Sequence, residues 1–190
     1  VSRCEEIKRN AITLIARNGF GSMSLRQLAR ESGIQVGSVY QHYRSKEEIL
    51  FEVVQDYLDN LLTFWRERAP RGRHTPAARL RAFVESYVEH FLDCYDQGLV
   101  STFELRRLKG PMWDEVRKTK AIYEAELQGI VQEGMRSGAF RGTNASLVAI
   151  ALLAMLTGLC IQQCEAGIQT KEELGINCWQ LVVQFVQLPN

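Results

Sequence analysis

Apolar residues recur at helical spacing along almost the whole chain. Leu50, Val53, Val54, Tyr57, Leu58, Leu61, Leu62 and Trp65 follow i, i+3, i+4, i+7 without a break. Leu80, Phe83, Val84, Tyr87, Val88, Phe91, Leu92 and Tyr95 repeat the pattern. Such stripes belong to long amphipathic helices with one face on a core. No stretch alternates with period two for long enough to suggest a strand. Helix starts are marked by Ser/Thr-x-x-Glu/Gln at Ser2–Glu5, Ser24–Gln27, Ser45–Glu48 and Thr170–Glu173, and by Thr75-Pro76. Each offers a side-chain oxygen, or a proline at the first helical position, to a helix beginning. Stops fall at Gly19, Gly33, Gly98, Gly110-Pro111, Gly138, Gly142 and Gly167. The predicted helices span about 2–18, 24–31, 35–42, 46–66, 76–96, 99–109, 112–137, 144–166 and 171–187. The pattern predicts an all-α, nine-helix chain in two parts: a three-helix unit over 1–48 and a larger helical body over 49–190. Residues 69–75 (APRGRHT) form the clearest linker.

The second and third short helices are joined by Glu31-Ser32-Gly33-Ile34. A helix of about eight residues, a tight turn with glycine and another short helix make a helix-turn-helix corner. Gly33 falls where the turn needs a positive φ. Leu25, Leu28, Ile34 and Val39 are expected to close the joint against Ile7, Ala11, Leu14 and Ile15, with Ala29 allowing close approach. Many all-helical proteins contain such a corner without touching DNA.

Composition narrows the classes. Apolar residues make up 46% and charged residues 24%, which fits a globular protein and excludes a disordered chain. Lys and Arg number 23 against 22 Asp and Glu, which argues against a broadly polycationic binder. The balance is uneven, however: residues 1–48 carry eight bases and five acids. A basic front is compatible with a nucleic-acid partner. No secretory signal opens the sequence. The longest apolar run, Leu147–Ile161, is shorter than the roughly 20 residues of a membrane span, so no membrane partner and a cytoplasmic location are expected. Cys4, Cys94, Cys160, Cys164 and Cys178 read as reduced thiols. Cys160 and Cys164 share a helix face, as do His90 and Cys94, but neither pair has enough partners for zinc; no metal and no cofactor are expected. No phosphate loop, G-x-S-x-G or H-E-x-x-H occurs, so the chain does not read as an enzyme.

The wording of residues 19–50, GFGSMSLRQLARESGIQVGSVYQHYRSKEEIL, closely resembles the N-terminal domain of TetR-family transcriptional repressors. The matching features are Gly19-Phe20, Ser24, Leu28-Ala29, Gly33, Val36-Gly37, Tyr40, Tyr43, Ser45-Lys46-Glu47 and Leu50, within about residues 5–54. The resemblance implies that the third helix enters the major groove of a double-stranded DNA operator. Its outward positions Gln35, Val36, Gly37, Ser38 and Gln41 are small or polar. Gln41 suits adenine and Val36 a thymine methyl. Ser24 at a helix start suits a phosphate, and Arg26 a phosphate or guanine edge. Positions matching Tyr40, His42 and Lys46 contact the DNA backbone in the family. Tyr43 reads as core.

For the body, the resemblance implies a homodimer that binds a palindrome, with a small-molecule effector in a pocket between helices 4 and 8. The helices at 144–166 and 171–187 are the expected dimer elements, because the first is apolar on nearly every side and carries small Ala151, Ala154 and Gly158. Candidate ligand-lining residues are Tyr87, Phe91, Phe103, Glu104, Arg107, Trp113, Tyr123, Met155 and Leu159, each of which also suits plain core. The stretches STFELRRLKGPMWDEVRK and IYEAELQGIVQEGMRSGAF resemble family branches that respond to acyl-CoA or other lipid-like effectors. An apolar ligand with one anionic end fits the aromatics and Arg106-Arg107. The expected function is a ligand-responsive repressor; the alternative is a constitutive DNA-binding protein with a ligand-blind body.

Overall fold

The structure, a computed structural model, describes residues 2–167 and 169–186. Among these the chain is all-α, with nine α-helices: α1 (Arg3–Asn18), α2 (Leu25–Glu31), α3 (Val36–His42), α4 (Lys46–Arg68), α5 (Pro76–Asp93), α6 (Tyr95–Phe103), α7 (Gly110–Arg136), α8 (Ala145–Ala166) and α9 (Lys171–Val186). A single 3-10 turn, Leu105–Arg107, lies between α6 and α7. The expected last residue of the ninth helix, 187, lies outside the described residues.

The sequence-level starts form the bonds their chemistry predicts. Ser2 and Glu5 make a reciprocal capping box on α1. Thr170 and Glu173 do the same before α9, at 3.2 and 2.8 Å. The Thr75 hydroxyl accepts from the Ala78 N–H at 3.2 Å, with Pro76 opening α5. Before α4 the reciprocity is displaced by one residue: Glu48 N–H donates to Ser45, but the Glu48 carboxylate accepts from Arg44 N–H at 2.7 Å.

Two expected stops are not stops. Gly110-Pro111 begins α7: Gly110 takes φ 57°, and Pro111 sits in the first turn, where a missing N–H costs nothing. Gly98 is buried inside α6, its N–H bonded to Cys94 O at 2.8 Å. The break between the fifth and sixth helices instead falls at Cys94, whose backbone leaves the helical region at φ −119°, ψ 39°.

The chain divides into two compact units. The first runs to Asp59 and adds Cys94–Thr119. Its core gathers Ile7, Ala11 and Ile15 of α1, Leu28 and Ala29 of α2, Val39 and Tyr43, and Ile49, Leu50, Val53 and Val54 of α4. Helix α6 packs on α1, so the three N-terminal helices stand on more than their own small core. Each large side chain withdrawn from water stabilises by about 1.5–3 kcal/mol.

The second unit holds Asn60–Asp93 and Lys120 onward. Helix α5 packs on α8 and α9, and buries Leu80, Phe83, Val84, Val88 and Phe91. Arg141 N–H donates to Val186 O at 3.1 Å. Cys160 and Cys178 are buried, and desolvation pushes both thiols up, Cys178 to about 11. They are protonated at neutral pH and pack as small apolar groups.

Candidate nucleic-acid interface and ligand-sensing residues

The α2–α3 corner is fixed by its turn. Ser32, Gly33 and Ile34 donate their N–H groups to Leu28, Arg30 and Ala29 carbonyls at 2.9, 3.1 and 3.0 Å. Gly33 holds φ 64°, which side-chain-bearing residues resist. Asn10 of α1 donates to the buried Ser32 hydroxyl at 3.0 Å, tying the turn to α1. Within α3 only Val39 is buried. The side chains or surfaces of Gln35, Gly37, Tyr40, Gln41 and His42 are exposed, and Val36 and Ser38 are partly covered. The corner therefore presents an outward face of mixed polar and apolar groups with a gap at Gly37. A Cβ built on Gly37 meets nothing within 4 Å, so no packing inside the protein requires a glycine there. Ser24 caps α2 by accepting from Gln27 N–H at 3.2 Å, which leaves its own O–H free to donate outward; Arg26 beside it is exposed.

Lys46 sits differently from the other expected contacts. Its ammonium donates to the carbonyls of Phe20, Gly21 and Met23 at 3.0, 3.4 and 3.2 Å and lies 4.5 Å from the centre of the Phe20 ring. An ammonium has three donors, and all are spent on the α1–α2 loop. Lys46 thus carries a fixed charge at the start of α4 and holds the loop that leads to Ser24.

The exit of α3 is anchored by a network invisible in the sequence. The buried Tyr43 hydroxyl donates to Glu52 of α4 at 3.0 Å and lies 2.9 Å from Cys4 Sγ. Lys8 bridges Asp56 at 2.6 Å and Glu52 at 3.6 Å. Burial first, then the bonds to Cys4 and Glu52, push the Tyr43 phenol far up. Burial pulls Lys8 down, but the hydrogen bond to Asp56 and the two carboxylates outweigh it and hold its ammonium above the usual value.

The nine expected ligand residues are divided between the units. Tyr87, Phe91 and Tyr123 come together in the second unit as part of an aromatic cluster with Phe83 and Trp65. Met155 and Leu159 are half-buried on α8 of the same unit. Tyr87 OH lies 2.6 Å from Thr157 Oγ1, which itself donates to Leu153 O, so the phenol is the donor. The buried Trp65 indole N–H has no hydrogen-bond partner among the described residues. Phe103, Glu104, Arg107 and Trp113 belong to the first unit. There Phe103 is exposed and Trp113 half-buried, while Glu104 accepts from Phe20 N–H at 3.0 Å and pairs with Arg107 at 3.4 Å. Sequence reasoning missed Trp65 and Thr157. Trp65 was visible only as the last member of a helical stripe.

Helices α8 and α9 expose large apolar side chains: Leu147, Ile150, Ile176, Leu181 and Phe185. Among the described residues α8 alone is long and apolar enough to cross a membrane by length and composition. Leu152, Leu156 and Cys160 of that helix are buried against protein.

Comparison with known proteins identifies this arrangement. A profile of bacterial regulatory proteins, tetR family, matches residues 7–53, and the Tetracyclin repressor-like, C-terminal domain matches residues 73–186. The chain belongs to the TetR family. It is a DNA-binding transcriptional regulator of the ligand-responsive type and not an enzyme. The HTH-type transcriptional repressor KstR2 of Mycolicibacterium smegmatis is 29% identical over 141 residues, 74% of this chain and 68% of the relative. The ketosteroid transcriptional regulator KstR2 of Mycobacterium tuberculosis shares the fold with a TM-score of 0.88 at 22% identity, covering 100% of this chain and 96% of that one. AibR, solved in complex with isovaleryl coenzyme A and operator DNA, gives a TM-score of 0.87 at 19% identity over 99% and 100% of the two chains.

Proposed function

We propose that this TetR-family regulator binds a palindromic operator as a cytoplasmic homodimer and is released by an amphipathic effector, a coenzyme A thioester. DNA reading is assigned to residues 1–48, and ligand binding with dimerisation to 49–190. The observation that carries the reading is the outward face of α3, open at Gly37 and edged by Gln35, Val36, Ser38, Tyr40, Gln41 and His42. Gln41 and Val36 read base edges, while Ser24, Arg26, Tyr40 and His42 meet the backbone and Lys46 adds its charge. Two such readers on a dimer address half-sites about 34–36 Å apart, or a multiple of that. The exposed apolar faces of α8 and α9 support a second copy as their cover.

The effector class is supported by two features. The Trp65 ring packs on Phe83, at one end of a row of rings that continues through Tyr123 and Tyr87, and a carbonyl acceptor on an apolar chain would satisfy its unpaired indole N–H. Leaving such a donor unmet costs about 1–3 kcal/mol. The relative AibR was solved with isovaleryl coenzyme A, which combines an apolar acyl group, a carbonyl and an anionic end. In this account α4 carries the signal, since DNA favours one conformer and the effector the other. Footprinting on DNA upstream of the gene, with and without a panel of acyl-coenzyme A esters, tests the function. Protection lost on adding an ester is expected. Protection that no ester disturbs would favour constitutive binding. Gln41→Ala should shift the preferred site in a selection from random duplexes; an identical site would remove Gln41 from base reading.

A further inference from the structure

The first unit contains a hollow of about 500 Å³ that no residue of α3 lines. It lies between the α1–α2 loop, the start of α4 and the segment that leads into α7. Lys46, Arg106, Arg107 and Lys109 line it, against Glu47 alone among the acids on its wall. The four cations are not equivalent. Lys46 is locked on the loop carbonyls and acts as a fixed charge. Arg107 shares Glu104, which is itself held by Phe20 N–H. Arg106 and Lys109 are exposed and have no ion-pair partner among the described residues.

Several cations converging on one concavity suit a ligand with more than one phosphate. Arginine forks take phosphate oxygens in pairs, and lysine adds point charge. The volume falls within the range of small-molecule sites, about 300–1,000 Å³. We propose that this hollow, a site of the first unit alone, binds the phosphate-bearing nucleotide of coenzyme A. The inference rests on the proposed effector class and extends ligand binding beyond residues 49–190, because Phe20, Gly21, Lys46 and Glu47 also line the hollow. It gives the effector a direct hold on the reader: phosphates drawn to Lys46 compete with the carbonyls of Phe20, Gly21 and Met23. Those carbonyls belong to the loop that sets Ser24 at the start of α2.

The test uses the full chain and free coenzyme A, which lacks any acyl group, by calorimetry at low and high salt. The wild-type protein should bind it, with affinity falling as salt rises. Arg106→Glu/Lys109→Glu should weaken binding by about tenfold or more, and the milder Arg106→Ala/Lys109→Ala should weaken it by less. Both residues are exposed, and an unchanged melting temperature checks the fold. Absence of coenzyme A binding at low salt, or equal binding by wild type and both variants, overturns the proposal. So does a variant that loses operator affinity while still binding coenzyme A, since the hollow would then be a DNA-backbone contact. The effector reading is scored separately. If an acyl ester releases operator from wild type and variants alike, that reading stands and only the hollow is lost.

Discussion

Gly37 is the position where the account of DNA reading is most exposed to test. It lies in the first turn of α3, and a Cβ there would meet open space. In the free protein Gly37→Ala therefore removes backbone freedom from the unfolded chain and creates no clash. Alanine is favoured over glycine in a helix by roughly 0.5–1 kcal/mol. For a domain of this size that raises Tm by about 2–4 °C per kcal/mol. On DNA the same methyl falls on the surface meant to sit against base edges. Overpacking a close interface by one methyl costs about 1–3 kcal/mol, which weakens operator binding roughly 5- to 150-fold. Gly129→Ala is the control, since Gly129 is also exposed, helical and free of neighbours, but lies on α7. The assays are thermal unfolding without DNA and fluorescence anisotropy with labelled operator at one fixed salt concentration. Gly37→Ala should gain stability and lose affinity; Gly129→Ala should gain stability alone. Unchanged operator affinity in Gly37→Ala would refute the claim that this face docks closely on DNA.

Three further outcomes follow from particular side chains. Lys46→Met strips the donor from three loop carbonyls and should lower stability by about 1–2 kcal/mol even without DNA, read as a Tm drop of several degrees; an unchanged Tm would return Lys46 to a pure phosphate contact. Phe185→Asp places a charge on the exposed apolar face of α9 and should yield monomers in sedimentation equilibrium, with operator affinity greatly reduced; a variant that stays dimeric contradicts the proposed interface. Burial, with Arg68 adding and Asp93 and Glu89 opposing, holds His90 below the usual histidine value. The unfolded chain therefore takes up this proton first, so stability present at pH 7.5 declines as pH falls below about 6.5. His90→Phe should flatten that decline, and a Tm–pH curve unaffected by the substitution would contradict the assignment.

What was legible in the sequence is what is encoded locally. Caps at Ser2, Thr75 and Thr170 were readable because donor and acceptor lie three residues apart. The turn at Gly33 was readable because one residue type tolerates its φ. Gly110-Pro111 was misread because the same dipeptide ends one helix or opens another, and only the 3-10 turn before it decides which. Gly98 was misread because a small residue inside a helix can serve packing as well as termination. The Tyr43–Cys4–Glu52 network joins groups 39 and 9 positions apart, and the Lys46 anchor reaches back more than 20 positions. No periodicity records such pairs. The basic hollow was half visible: Arg106 and Arg107 stood out as a pair, but their convergence with Lys46 and Lys109 is a product of folding.

The central claim is that operator and effector oppose each other through this chain. The direct measurement is the affinity of one acyl-coenzyme A ester, chosen as the panel member that disturbs the footprint most, for free protein and for protein saturated with operator. Reciprocal linkage requires the operator-bound form to bind the ester more weakly, typically by 1–3 kcal/mol, or about 5- to 150-fold. Equal affinities in the two titrations would contradict the account, because a ligand that does not distinguish two states cannot shift the balance between them.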